Sequence, residues 1–304
     1  MHIRILSDGK QGHLNQSLGL AHALIEKVGG SVETISLQGL SFLDKIRTVV
    51  NDDTSKPDLF ISAGHATHIP LICARQHFKS KVVLCMKPTL PLSFFDLCLI
   101  PKHDLSADRD YTDTNIFPTW GALHPIRPDS TSKKDIVLIL IGGPSKDFDW
   151  DTEELLNQLA TISIHTPEKI ILTTSRRTPQ GVADKIKEAI PEIITIPVEE
   201  TQPGWVAEHL ARANAVWVSR DSVSMVYEAL GSAAPVGIIS VPQKSNKRQS
   251  RILSGLNMLT EAGFVTNFDS WVANGYTLPT SSEPLIEADR AAEFILTRLF
   301  NHTF

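Results

Sequence analysis

Three cysteines in 304 residues, Cys73, Cys85 and Cys98, are too few and too scattered for a disulfide framework or a paired-cysteine metal clip. Each lies in or beside an apolar run and reads as a small core residue. Positive charge is not in excess either. Lys and Arg number 29 against 34 Asp and Glu, a net charge of −5, which speaks against a dedicated nucleic-acid binder, whose affinity comes from clustered cations on phosphates. No apolar run approaches the length that spans a bilayer. The first residues, Met1 to Ser7, run straight into a strand without a signal-peptide or transit-peptide pattern, so a cytoplasmic protein is expected. Common hydrolase signatures are missing: there is no GxSxG, no HExxH, and no cysteine with an evident histidine partner. No GxGxxG or P-loop ending marks a nucleotide-binding turn.

The apolar content of 42% and charged content of 21% are those of a soluble globular protein, and the length favours two domains. Short apolar strands alternate with helical periodicity: Ile3–Ser7, Val32–Leu37, Leu59–Ala63, Val82–Met86 and Leu97–Ile100 in the first half, then Ile136–Ile141, Ile170–Thr174, Ile193–Ile196, Val216–Val218 and Val236–Ile239. Strands separated by helices require crossovers, hence mainly parallel sheets covered on both faces. Between Gly121 and Asp135 the alternation stops among Pro125, Pro128, Ser130, Thr131 and Ser132, a linker composition. The expected layout is an N-terminal domain 1–124, a linker 125–135, a C-terminal domain 136–286 and a tail helix 287–304. Two doubly wound domains would leave a crevice between the carboxyl edges of their sheets, where such folds bind ligands.

Val216–Pro242 is the most informative stretch, a strand–turn–helix–strand unit. Asp221 or Ser222 can cap the helix, and its free N–H groups and dipole attract an anion. Glu228 stands two turns in on an otherwise apolar face. Phosphate at one end and hydroxyls near a carboxylate describe a nucleotide sugar. Other strand ends carry chemistry too. Asp8-Gly9-Lys10-Gln11-Gly12-His13-Leu14-Asn15-Gln16 is more polar than capping requires, and His13 suits a base near neutral pH. Gly64 and His65 follow the third strand; His65 and His68 offer two metal ligands with no third in view, so no metal is expected. Gly142-Gly143 can cradle a phosphate, and Arg176-Arg177 supply bidentate donors. Lys244, Lys247, Arg248 and Arg251 crowd a helix start, where positive charge hints at an anionic partner.

Ser219-Arg220-Asp221-Ser222-Val223-Ser224-Met225-Val226-Tyr227-Glu228-Ala229, with Gly231 and Pro235, resembles the donor-binding segment of GT-B glycosyltransferases of the peptidoglycan N-acetylglucosaminyl transferase type. Asp8 to Gln16 and Ser175-Arg176-Arg177-Thr178 resemble motifs of the mitochondrial-fission Elm family and its bacterial relatives, a likeness that covers nearly the whole chain. The resemblance implies an α/β GT-B-like fold, with two Rossmann-like doubly wound domains, an inter-domain cleft and a C-terminal helix returning to the N-terminal domain. It further implies that Glu228 holds ribose hydroxyls, that Ser222, Val223 and Ser224 border the pyrophosphate near Gly143, and that Gln249 contacts the sugar. His13 matches the histidine of the transferase's glycine-rich acceptor loop, although Asp-Gly-Lys-Gln-Gly-His replaces a run of three glycines.

A metal-independent glycosyltransferase is therefore expected, without cofactor and with a nucleoside-diphosphate sugar as substrate. His13 or Asp8 would deprotonate an acceptor hydroxyl. Gly142, Gly143, Arg176, Arg177, Ser222, Val223, Ser224, Glu228 and Gln249 would serve the donor, and Gly12, Gln16, Gly64 and His65 the acceptor side. The acceptor is a glycan or is lipid-linked, the latter placing the protein against the inner membrane face; no nucleic acid is expected, and the oligomeric state is open. The rivals are an interaction protein on a GT-B scaffold and, disfavoured by the missing dinucleotide fingerprint, a nucleotide-sugar epimerase.

Overall fold

The computed structural model of the chain describes residues 1–51, 56–106, 109–129, 131–244, 251–279 and 284–302. The chain forms two compact units: Met1–Pro125 joined by Ile286–Phe304, and Ile126–Leu285. The first carries β1 (His2–Ser7), α1 (Gln11–Val28), β2 (Ser31–Ser36), α2 (Phe42–Val50), β3 (Leu59–Ser62), α3 (His68–Phe78), β4 (Lys81–Leu84), β5 (Leu97–Pro101) and β6 (Ile116–Thr119). The second carries β7 (Ile136–Leu140), α4 (Thr152–Ile164), β8 (Lys169–Thr173), α5 (Val182–Ala189), β9 (Ile194–Ile196), α6 (Trp205–Arg212), β10 (Ala213–Ser219), α7 (Val223–Leu230), β11 (Val236–Ile239), α8 (Arg251–Glu261), β12 (Thr266–Asn267) and α9 (Phe268–Ala273). The last helix, α10 (Glu287–Phe300), belongs to the first unit. No helix among the described residues is long and apolar enough to cross a membrane.

Each unit has a six-stranded sheet, ordered β2-β1-β3-β4-β5-β6 and β12-β11-β10-β7-β8-β9, and every strand pair is parallel. Residues that alternate along a strand part to opposite faces. In β1, Ile3 and Ile5 join the core beneath α1 and α10, while Leu6 packs with Leu71 and Ala74 of α3 on the other side. Arg4 shares that second face, fully buried, with its Nε 2.9 Å from Glu33 Oε2. β7 is apolar and buried at all five positions, the signature of a central strand covered on both faces. Gly237 on β11 leaves the slot that the Trp217 ring of β10 fills, since a Cβ there would stand 2.4 Å from the indole.

Three elements were not evident in the sequence. β6 is an edge strand containing Pro118, a residue such positions tolerate because one side of the ladder is unpaired. β12 is two residues long and α9 six, too short for a period to register.

α10 closes the first core. Ala288, Ala291, Ala292, Ile295 and Leu296 are buried with Leu20 and Leu24 of α1, and Phe294 and Leu299 pack at the margin. Its start is fixed by Glu287, whose side chain is 3% exposed. That carboxylate accepts the Trp120 backbone N–H at 2.7 Å and two Arg290 donors at 2.9 and 2.7 Å. Arg290 in turn donates to the Pro118 carbonyl at 2.6 Å and lies 4.3 Å from the Phe117 ring centroid.

Candidate functional site

In both sheets the strand order reverses once. The chain moves from β1 out to β2 and returns across β1 to β3; it moves from β7 through β8 to β9 and returns across β7 to β10. The carboxyl ends of β1 and β3, and of β7 and β10, are therefore switch points, where flanking loops part and leave room for ligands. The polar residues singled out in the sequence gather there.

At the first switch point, Asp8 follows β1 and its carboxylate, 6% exposed, meets His13 Nδ1 at 2.9 and 3.1 Å. The Lys10 backbone N–H donates to the same carboxylate at 3.1 Å. A carboxylate on Nδ1 keeps the proton on that nitrogen, so Nε2 is left as the basic atom. Asp8 thus fixes the orientation of the His13 ring. Gly64 completes the arrangement. It has φ +99°, and a Cβ there would stand 2.5 Å from both Asp8 Oδ2 and His13 Nδ1. Gln16 is half-buried on α1, and Gly12 is exposed with open space beside it. Gln11 Nε2 donates to Asn15 Oδ1 at 2.7 Å within the first turns of α1.

His65 is exposed and His68 is buried behind it, ring centroids 5.3 Å apart. Thr89 Oγ1 lies 3.3 Å from His68 Nδ1, and Phe95 meets the ring edge-on at 5.8 Å. Burial, then the neighbouring His65, lowers the His68 pKa from 6.5 to about 4. Between those values the unfolded chain binds a proton that the folded one refuses. Stability is therefore full above pH 6.5 and falls as the pH drops towards 4. Urea unfolding at pH 7 and pH 4.5 is expected to show this loss, and His68→Gln to flatten that part of the profile; an unchanged profile would refute it. Among the described residues no three His, Cys, Asp or Glu side chains group as cation ligands.

At the second switch point the glycine pair does something other than cradle phosphate. Gly142 N–H donates to Ser219 Oγ at 2.7 Å, and Gly143 N–H to Asp221 Oδ2 at 2.8 Å. These amides are spent inside the protein. A Cβ on Gly142 would stand 2.0 Å from Asp221, and one on Gly143 would stand 2.1 Å from the Arg177 carbonyl, so the glycines serve close approach. The expected cap on α7 also gives way. The fully buried Asp221 carboxylate turns back to Gly143, accepts Ser219 Oγ–H at 2.8 Å and pairs with Arg177 at 2.8 Å. Ser222 occupies the N-cap position without a side-chain cap bond. Arg177 gives its other terminal nitrogen to the Gly143 carbonyl at 2.8 Å, and Thr178 donates to the Gly142 carbonyl. Arg177, although 41% exposed, thereby clamps the turn, whereas Arg176, also exposed, makes no such pairing. The sequence did not separate these adjacent arginines, because the distinction lies in which of them faces a buried carboxylate.

A pocket of about 490 Å³ lies within the second unit, lined by Thr173 at the end of β8, by Ser175, Arg176 and the clamping Arg177 after it, and by Ser222, Ser224 and Met225 at the start of α7. Thr173 is 2% exposed and its Oγ1 has no hydrogen-bond partner. Val223 is half-buried at the helix start, and Glu228, also half-buried, stands further along α7 outside that lining. Gln249, Lys247 and Arg248 lie outside the described residues. Lys244 bonds the Ser145 carbonyl at 2.9 Å.

A family model described as mitochondrial fission ELM1 matches residues 11–299. An uncharacterized protein of Rickettsia prowazekii (strain Madrid E) is 26% identical, over 97% of this chain and 98% of that one. Mitochondrial fission protein ELM1 of Arabidopsis thaliana is 25% identical, over 71% of this chain and 58% of that one. Among solved structures, a putative UDP-N-acetylglucosamine 2-epimerase from Listeria monocytogenes is similar with a TM-score of 0.61 at 11% identity, covering 99% of this chain and 97% of that one. Acinetobacter baumannii MurG is similar with a TM-score of 0.56 at 10% identity, covering 99% of both chains. At such identities the likeness speaks to fold alone, and the fold is GT-B, with two Rossmann-like domains.

Proposed function

The chain belongs to the mitochondrial fission ELM1 family, and from that premise we propose that it is a glycosyltransferase moving a sugar from a nucleoside-diphosphate sugar to a hydroxyl acceptor. The observation that carries the proposal is the Asp8–His13 dyad, a buried carboxylate on Nδ1 of a histidine at a sheet's switch point. In the reaction, His13 Nε2 takes the acceptor hydroxyl proton as that oxygen bonds the anomeric carbon. The bond from that carbon to the diphosphate oxygen breaks, and its electron pair leaves with the diphosphate. General-base help of this kind is worth about 10²- to 10⁴-fold in rate.

The second unit supplies the donor side. Arg176, the uncapped start of α7 and the hydroxyls of Thr173, Ser222 and Ser224 suit a diphosphate, and Glu228 is assigned to the ribose hydroxyls. Interactions of this kind, set before charge develops on the leaving group, are the larger part of such catalysis. The acceptor is assigned to the first unit, near Gly12, Gln16, Gly64 and His65. A scaffold without turnover takes its support from the fission protein named among the relatives.

Calorimetry with nucleoside diphosphates and their sugars separates the readings. Binding in the millimolar range or tighter is expected, weakened by Glu228→Ala, with transfer lost in His13→Ala while donor binding is kept. No binding, with Glu228→Ala indistinguishable from the unaltered protein, would eliminate the transferase. A donor sugar returned with altered stereochemistry at carbon 2, without transfer, would make it an epimerase.

A further inference from the structure

We infer that the second unit holds a further binding site, for a quaternary ammonium group, in an aromatic pocket at the amino edge of its sheet. A cavity of about 350 Å³ opens there, lined by residues at the starts of the central strands: Val137 of β7, Glu168 just before β8 and Asn214 of β10. Because these strands run parallel, that edge is the one opposite the switch point. The site is therefore separate from the donor side, and stands or falls without it.

His165, Trp217, Trp271 and Tyr276 all line the cavity. His165 and Tyr276 are stacked, with centroids 3.4 Å apart and planes at 13°. Trp271 stands across both, at 90° to His165 and 78° to Tyr276, and crosses Trp217 at 77°. Rings at right angles around one space enclose it from several sides, an arrangement in which π-systems hold an alkylated cation. The charge of the lining has the matching sign. It includes Glu168 and neither lysine nor arginine, and among the described residues no hydrogen bond or ion pair occupies the Glu168 carboxylate. A sugar would also stack on such rings, but it would give that carboxylate no counter-charge.

Core packing accounts for only part of the cluster. Trp217 and Trp271, 2% and 3% exposed, belong to the buried core. Tyr276 does not. It is 39% exposed, yet its backbone is held at φ +64°, a conformation unfavourable for a bulky side chain. Its N–H is fixed on the Trp271 carbonyl at 2.9 Å, and His165 Nδ1 is fixed on the Thr161 carbonyl at 2.9 Å. Strain that keeps an aromatic ring at the surface lowers stability, whereas a wall set in place before its ligand arrives raises affinity.

Calorimetric titration of the full chain with tetramethylammonium, choline and choline's uncharged isostere, in which carbon replaces the nitrogen, tests the inference. The expected result is millimolar or tighter binding of both cations, with binding at least about tenfold weaker for the isostere, and for the cations in Glu168→Gln and Tyr276→Gly. Tyr276→Phe, which keeps the ring, should bind as the unaltered protein does. Glu168→Gln, a change at an exposed position, keeps the test open whatever Tyr276→Gly does to folding. Phosphatidylcholine vesicles identify the source of the group: cosedimentation abolished by Glu168→Gln assigns it to a lipid headgroup, and choline binding without cosedimentation assigns it to a free molecule. Equal binding of the isostere would overturn the inference by reducing the pocket to an apolar hole. Cation binding unmoved by Glu168→Gln would overturn it too, as would N-acetylglucosamine bound where neither cation is. Absence of binding by both cations would end it and leave the donor reading untouched.

Discussion

Gly64→Ala is expected to separate Asp8 from His13, to lower stability by about 2–4 kcal/mol and to reduce sugar transfer by about 10²-fold or more. Two causes act together. The backbone at φ +99° is one that side chains rarely adopt, and the added carbon would stand 2.5 Å from the two atoms that make the contact. Neither neighbour can step aside cheaply. Asp8 is also held by the Lys10 amide at 3.1 Å, and His13 sits in the first turn of α1, with its amide on the Lys10 carbonyl at 3.0 Å. Nitrogen chemical shifts of the His13 imidazole report the outcome independently of any turnover. In the unaltered protein the proton should reside on Nδ1. In the variant the two tautomers should approach the mixture found in a free histidine. Unchanged shifts, with unchanged urea unfolding, would show that the dyad does not depend on Gly64.

Glu287→Ala is expected to cost about 1–3 kcal/mol, the range for leaving a buried donor without its acceptor, because the Arg290 side chain left behind is 44% exposed and can be solvated. The Trp120 amide would lose its acceptor at the point where α10 starts, and Arg290 would keep only the Pro118 carbonyl. The loss should be confined to the first unit. Trp120 is the one tryptophan of that unit, the other four, Trp150, Trp205, Trp217 and Trp271, lying in the second. Fluorescence of a protein that retains only Trp120 should therefore show a urea midpoint moved well to lower concentration. Fluorescence of the second unit's tryptophans should barely move. Equal shifts in both would mean that the units unfold together, and no shift would remove the clasp from the account of stability.

The strands and helices that could be read in the sequence are those with a strong period or a continuous apolar run. β7 and α10 are the clearest cases, the first apolar throughout and the second with Ala291, Ile295 and Leu296 on one face. β6 escaped because its four residues include a proline and follow a run of aspartates. Within the candidate site, residue types and their places at strand ends were legible; their partners were not. Asp8, His13 and Gly64 are brought together from two loops more than fifty residues apart, and a sequence read along the chain has no measure of that approach. For the same reason the sequence offers Asp221 or Ser222 as the helix cap. A carboxylate beside a helix start usually turns to its amides, but here Arg177 and the Gly143 amide beyond β7 draw it the other way.

Because the first unit is assembled from both stretches of chain, its manufacture has an order imposed on it. A ribosome must deliver the entire second unit after α1 before the first core acquires the cover that α10 gives it. Until then the side of the first core that Ala288, Ala291, Ile295 and Leu296 fill stays open. A nascent chain halted after Leu285 should accordingly contain one finished domain, the later one, beside an earlier one still waiting, an inversion of the usual first-made, first-folded sequence.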